Sequence, residues 1–175
     1  MTVLFRAYLA ISADGFIARP DGSVDWLHDY DPAEFGFKSF MAGIGGIVMG
    51  RASYEMSRSF GDAWPYAGKA VYVVTAQDLP NLPDGAQTRR ADFSALANEL
   101  RQTSNGDVWL FGGPQLWAGF LDIGAIDRFE LYVIPHMIGE GLPLLPPGRR
   151  DLRLELVESE ALSRGVMKLV YKPRL

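Results

Sequence analysis

The sequence predicts an α/β domain with a mixed, mostly parallel sheet, finished at one edge by an antiparallel C-terminal hairpin. Three observations predict it. Apolar, β-branched runs alternate with helix-compatible segments over the first two-thirds of the chain, which calls for right-handed crossovers and parallel strands. The last third carries strand after strand with a turn between the final two. Two strand-to-helix junctions are built on glycine, at Gly50 and at Gly112-Gly113. With 175 residues, 48% hydrophobic and 22% charged, the chain can bury a full core. It shows no repeat or linker, so one domain over 1–175 is expected.

Taken in order, residues 3–12 are rich in β-branched and aromatic types and predict a largely buried first strand. It ends at the turn Ser12-Ala13-Asp14-Gly15, and Phe16-Ile17-Ala18 leads to a second turn at Pro20-Asp21-Gly22. A loop with Trp26 and His28 follows. Asp31, Pro32 and Glu34 form a helix start, and Phe37, Phe40, Met41 and Ile44 recur at helical spacing. One helix ending at Gly43 is therefore expected, feeding a strand that reaches Gly50. Beyond that junction a short helix carries Tyr54 and Phe60, and residues 61–68 form a loop. Val71-Tyr72-Val73-Val74-Thr75 is a buried strand, stopped by the loop at 80–83. Asp92 caps a helix over 92–104 with Phe93, Leu96, Ala97 and Leu100 on one face and Gly106 as its stop. Val108-Trp109-Leu110-Phe111 is the next strand, followed by the second junction and a helix to about Gly124. A strand over 126–134, a Gly/Pro-rich loop over 135–148 and two strands flanking Leu162-Ser163-Arg164-Gly165 complete the chain.

Several function classes are excluded. A net charge of −4 argues against a nucleic-acid partner, which would favour a basic face. The absence of cysteine removes disulfides, zinc–thiolate sites and cysteine nucleophiles. His28 and His136 are the only histidines and lie far apart without ligand spacing, so no metal is expected. Neither a G-x-S-x-G elbow nor a Walker A sequence is present. No export signal or membrane-length apolar run occurs, and a cytoplasmic location is expected.

The glycine junctions carry the chemistry. Glycine at a strand-to-helix turn admits a ligand close to the backbone. The unpaired first amides and the helix dipole then favour an anion. Gly50-Arg51-Ala52-Ser53-Tyr54-Glu55 adds a guanidinium and a hydroxyl, and Phe111-Gly112-Gly113-Pro114-Gln115 supplies a second seat. Two seats on one framework suit a ligand with phosphates in its middle, such as a dinucleotide.

Four stretches together resemble the dihydrofolate-reductase-like family, and more closely the stand-alone relatives of the riboflavin-biosynthesis reductase domain. They are Ser12-Ala13-Asp14-Gly15-Phe16-Ile17-Ala18, Val48-Met49-Gly50-Arg51-Ala52-Ser53-Tyr54-Glu55, Val108-Trp109-Leu110-Phe111-Gly112-Gly113 and Ile126-Asp127-Arg128-Phe129-Glu130-Leu131. The resemblance implies a three-layer α-β-α fold and an NADPH-dependent reductase, with NADH not excluded because Ala76-Gln77 lacks the family's usual basic residue. It places the diphosphate against Arg51, Ala52 and Ser53 on one wall and Gly112, Gly113, Pro114, Gln115 and Leu116 on the other. Ala10 and Ile17 would bracket the nicotinamide, and Thr75 and Ala76 the adenosine ribose. Hydride would go to a C=N or opened-sugar carbon of a pterin- or pyrimidine-type small molecule. The alternative is a catalytically silent nucleotide-binding protein on the same fold.

The same resemblance makes Glu34 a candidate substrate carboxylate and proton donor, set against a capping-box role in which it folds back on the Asp31 amide. Asp14 either orders the loop over the nicotinamide or makes an Asx-turn. Trp26 and Trp117 are candidate substrate-stacking rings, set against core packing. A homodimer is expected through the C-terminal part, with Leu142, Leu144 and Leu145 needing cover.

Overall fold

A computed structural model describes residues 2–59, 61, 63–148 and 151–174. The elements run β1 (Phe5–Ser12), β2 (Phe16–Ala18), α1 (Phe37–Ala42), β3 (Ile44–Gly50), α2 (Arg51–Arg58), β4 (Ala70–Val74), β5 (Ala86–Arg89), α3 (Phe93–Thr103), β6 (Asp107–Gly112), α4 (Pro114–Asp122), β7 (Arg128–Ile134), β8 (Leu142–Pro143), β9 (Arg153–Ala161) and β10 (Met167–Arg174). Eight strands form one sheet in the order β5-β4-β3-β6-β1-β7-β10-β9. Pairings from β5 through β7 are parallel, and β10 runs antiparallel to both β7 and β9. The mostly parallel sheet with its antiparallel C-terminal edge is thus the predicted one.

Period-two alternation divides the core between the sheet faces. Phe5, Ala7, Leu9 and Ile11 of β1 pack with Leu96 and Leu100 of α3 and Leu116, Trp117 and Phe120 of α4. On the other face Ile47, Met49, Val71, Val73 and Trp109 meet Phe40 of α1 and Tyr54 of α2. Helices therefore cover both faces, and the domain has three layers. Tyr54 packs on the sheet as expected, whereas the expected Phe60 lies outside the described residues.

Three local expectations are corrected. The single helix from Asp31 to Gly43 is two pieces: a 3-10 turn over Pro32–Phe35 and then α1. Gly36, at φ 79°, sits between them in the left-handed region and breaks the hydrogen-bond ladder. Ile44 accordingly belongs to β3. The Asp92 cap is present, its carboxylate accepting from the Ala95 amide at 2.9 Å, and α3 ends where expected, at Thr103, but its C-cap is Ser104 and Gly106 is not its stop. Gly106 serves close approach instead, since a Cβ there would lie 2.6 Å from the Gly43 carbonyl oxygen. Finally, β5 and the two-residue β8, which pairs with β2, were not anticipated.

Candidate functional site

β3 and β6 are neighbours in parallel, with Met49 opposite Gly112, so α2 and α4 begin side by side at the same sheet edge. A Cβ at Gly50 would lie 3.6 Å from the Gly112 carbonyl oxygen and 3.9 Å from the Gly113 nitrogen. Neither helix start is capped by a side chain. Such paired, uncapped N-termini favour an anion. Arg51 stands at the rim with Nε 2.6 Å from Glu55, an exposed i,i+4 pair that a bound anion can replace. Gly112, at φ 127°, can only be glycine: a Cβ there would lie 2.6 Å from the Trp117 ring. That ring is buried and held by its indole N–H donating to the Leu110 carbonyl at 2.9 Å.

From this edge a cavity of about 1020 Å³ runs over the sheet towards α1. Its lining includes Ala10, Ile17, Gly50, Arg51, Ala52, Ser53 and the run from Gly112 to Trp117. These sequence-predicted residues, from four separate stretches of the chain, are brought to one place. Trp117 lies behind Gly112 as its support rather than standing free to stack on a ligand. Thr75 and Ala76 follow Val74, which lines the cavity, but are not themselves part of its wall. Beside them the end of β5 brings in one cation: the Thr75 amide donates to the Arg89 carbonyl, and the guanidinium of Arg90, the residue after β5, donates to the Ala76 carbonyl.

Glu34, Asp14 and Trp26 do not line the cavity. The Glu34 carboxylate turns to Arg164, 3.2 Å away in the turn between β9 and β10, with its side chain 40% exposed. Neither does it fold back as a cap. Asp31 caps the turn instead, accepting from the Ala33 amide at 2.9 Å. Gly36 is the cause, because the break after Phe35 turns the first piece away from the helical face that would have aimed Glu34 inward. Asp14 clamps two loops: it accepts from the Ser12 hydroxyl at 2.6 Å, the Ile138 amide at 3.2 Å and the Gly139 amide at 2.7 Å. The Ser12 hydroxyl and these amides hold its pKa below the ordinary carboxylate range. Trp26 is buried against Phe35, Tyr132, Ile134 and Val166 in a third cluster.

Sequence reasoning missed the far end of the cavity, which is aromatic. Tyr8, Phe37, Trp109 and Tyr132 line it, with Tyr66 and Phe111 lining the stretch back towards the junctions. The Tyr8 and Tyr132 rings lie side by side, 4.7 Å between centroids, and each phenol feels the other. Burial dominates both and leaves each phenol above its ordinary pKa. Tyr66 is pushed up to about 12, again by burial. A usable signal exists only after pairing is known: Tyr8 and Tyr132 interrupt apolar strands on the same face, two residues from Arg6 and Glu130.

Comparison with known proteins agrees with this arrangement. The family profile of the RibD C-terminal domain matches residues 5–168. The chain is similar to YwjB, an uncharacterized protein of Bacillus subtilis (strain 168), at 31% identity over 165 residues covering 91% of this chain and 92% of that one. It is 27% identical over 149 residues to the riboflavin biosynthesis protein RibD of Corynebacterium ammoniagenes, spanning 78% of this chain but only 44% of that protein. A solved structure from Shewanella sp. PV-4, provisionally described as a riboflavin biosynthesis protein, superposes with a TM-score of 0.86 at 26% identity over 100% of both chains. The Thermotoga maritima deaminase/5-amino-6-(5-phosphoribosylamino)uracil reductase shares the fold with a TM-score of 0.74 at 16% identity, over 99% of this chain and 57% of that one.

Proposed function

Because the chain belongs to the RibD C-terminal domain family, we propose that it is an NADPH-dependent reductase acting on a C=N or opened-sugar carbon of a small ring-bearing molecule. One observation carries this reading: the two glycine junctions meet, with the Cβ position of Gly50 3.6 Å from the Gly112 oxygen. Their spacing suits a diphosphate between two helix N-termini, with the amides of Ala52, Ser53 and Gln115 as donors and Arg51 as counter-charge. Ala10 and Ile17 flank the next part of the cavity, where the nicotinamide would lie. A bound reduced nicotinamide supplies a hydride. The protein's share is to align the acceptor, exclude water and manage the proton.

Arg90 favours NADPH over NADH. It supplies, from just after β5, the basic group that the sequence lacks at Ala76-Gln77, and it sits next to the Ala76 carbonyl on the adenosine side. The test is oxidation of NADPH followed at the nicotinamide absorbance band, with pyrimidine and pterin acceptors. Turnover with one of them is expected. Tight NADPH binding without turnover on any acceptor would favour the silent nucleotide-binding alternative. That second reading draws on one observation: Asp21, exposed, is the only carboxylate among the described lining residues.

A homodimer is part of the proposal, centred on β9; of the three leucines expected to need cover, Leu142 alone is exposed. Leu144 and Leu145 pack on the main core. Leu142 is exposed as expected, and so are Ile123, Met137, Met167 of β10 and, on β9, Leu154, Leu156 and Val157. All nine residues of the edge strand β9 are exposed, a long free edge that a second copy would cover. Sedimentation should give a dimer at micromolar concentration, and a monomer there rejects the pairing.

A further inference from the structure

The end of the cavity away from the glycine junctions is built by β1, β6, β7 and α1, and it holds no usable charge. Among the described lining residues only Asp21 and Arg51 are charged. Asp21 accepts from the Ser23 amide in an exposed turn, and Arg51 belongs to the Gly50 junction. The nearby cations are committed elsewhere. Arg6, on the same face of β1 as Tyr8, is held by Glu130 and Asp107 with its guanidinium 4.7 Å from the Phe40 ring, and it does not reach the cavity. Lys168, opposite Tyr132 across β7 and β10, is paired with Glu158.

What lines this end is flat. Tyr8 lies 4.1 Å from the Phe40 ring in a stack and 4.7 Å from Tyr132. Phe37 and Trp109 meet edge to face at 5.6 Å, and Trp109 lies 4.8 Å from Phe111. A phosphate or carboxylate placed here would lose its water without gaining a cation, which strongly disfavours it. A protonated amidine edge would equally lack a carboxylate partner. A neutral ring loses nothing comparable, and it gains stacking. Among the groups that can orient it are the Tyr8 and Tyr132 hydroxyls.

We propose that this end of the cavity takes an uncharged planar ring bearing a neutral acceptor atom, with neither phosphate nor carboxylate, held by the Tyr8–Tyr132 hydroxyl pair. Its assignment as the substrate end rests on the NADPH reading above. The proposal narrows the substrate class away from phosphosugar-bearing pyrimidines and from the charged tail of a folate. Because burial keeps both phenols protonated above the ordinary tyrosine range, affinity for such a ring should be flat from neutral to mildly alkaline pH.

The test uses the full chain without cofactor and a matched ligand series: 2-(hydroxymethyl)quinoxaline, its phosphate monoester and quinoxaline-2-carboxylate, titrated by calorimetry. The neutral ring should bind at least about tenfold more tightly than either anion, and Y132F or Y8F should weaken it several-fold while leaving anion binding unchanged. A second titration with NADP+ present displaces any ester held at the glycine junctions, so only ligand at the inner end remains. Equal or tighter binding of an anion that NADP+ does not displace overturns the proposal, as does full affinity in the Y8F/Y132F double variant. If the tyrosine variants do not fold, the wild-type series alone decides. Failure of NADPH to bind in a separate titration counts against the cofactor reading and leaves the outcome for the ring intact.

Discussion

The two ends of the cavity are made of different material. At the glycine junctions the wall is backbone: uncapped helix N-termini at Gly50 and Gly113 and a Gly112 that admits no side chain. At the inner end it is side chain: Tyr8, Phe37, Trp109 and Tyr132, drawn from four elements. A backbone site needs particular residues at consecutive positions, so it leaves a local motif. A side-chain site needs only shape and polarity at points that the topology brings together, so it can be remade without any motif changing. The first end should therefore be intolerant of substitution and the second adjustable.

The largest effect should come from breaking the backbone end. Gly112→Val places a Cβ 2.6 Å from the Trp117 ring at φ 127°. Strain and overpacking together should cost about 3 kcal/mol and lower Tm by roughly 6–12 °C. Thermal denaturation checks this, and NADPH affinity measured on the folded fraction should fall at least tenfold. Next comes the cofactor's adenosine side. Arg90→Ala should reduce the preference for NADPH over NADH about tenfold, as loss of a charge-assisted contact implies, without changing kcat. The ratio of kcat/KM for the two nucleotides reads it.

Smaller effects belong to the two carboxylates that the cavity excludes. Asp14→Asn leaves one acceptor oxygen where the carboxylate offers two to Ser12, Ile138 and Gly139, and removes the charge. Its folded pKa is depressed, so its contribution is present above the unfolded value of about 3.9 and is lost as pH falls through the lowered folded value. Wild type and variant should thus differ in denaturation midpoint at neutral pH and converge in acid. Glu34→Gln should change least. Its partner Arg164 lies in the exposed β9–β10 turn, and kcat and its pH profile should stay within twofold of wild type. A larger loss with an altered pH profile would return Glu34 to the chemistry.

How far the sequence was legible follows the same division. The strands to Gly50 and Phe111, the helices after them, the Asp92 cap and the C-terminal hairpin all carry consecutive signals, and the structure has each. The break at Gly36 was hidden because Phe37, Phe40 and Met41 keep helical spacing on one side of it while Asp31-Pro32 is a sound helix start on the other. That one glycine decides where Glu34 points. Strand β5, Ala-Gln-Thr-Arg, has no apolar alternation to announce it, yet it carries Arg89 and Arg90 to the end of β4. Tyr8 and Tyr132 are unremarkable in their own strands and become neighbours only through the β1–β7 pairing.

The central claim is that Gly50 and Gly113 jointly hold the diphosphate of a nicotinamide nucleotide. A crystal structure of the protein with NADPH tests it most directly. The diphosphate oxygens should lie within hydrogen-bonding distance of the Ala52, Ser53 and Gln115 amides, with the nicotinamide between Ala10 and Ile17. A nucleotide bound elsewhere, or a diphosphate touching only one of the two helix starts, would contradict it.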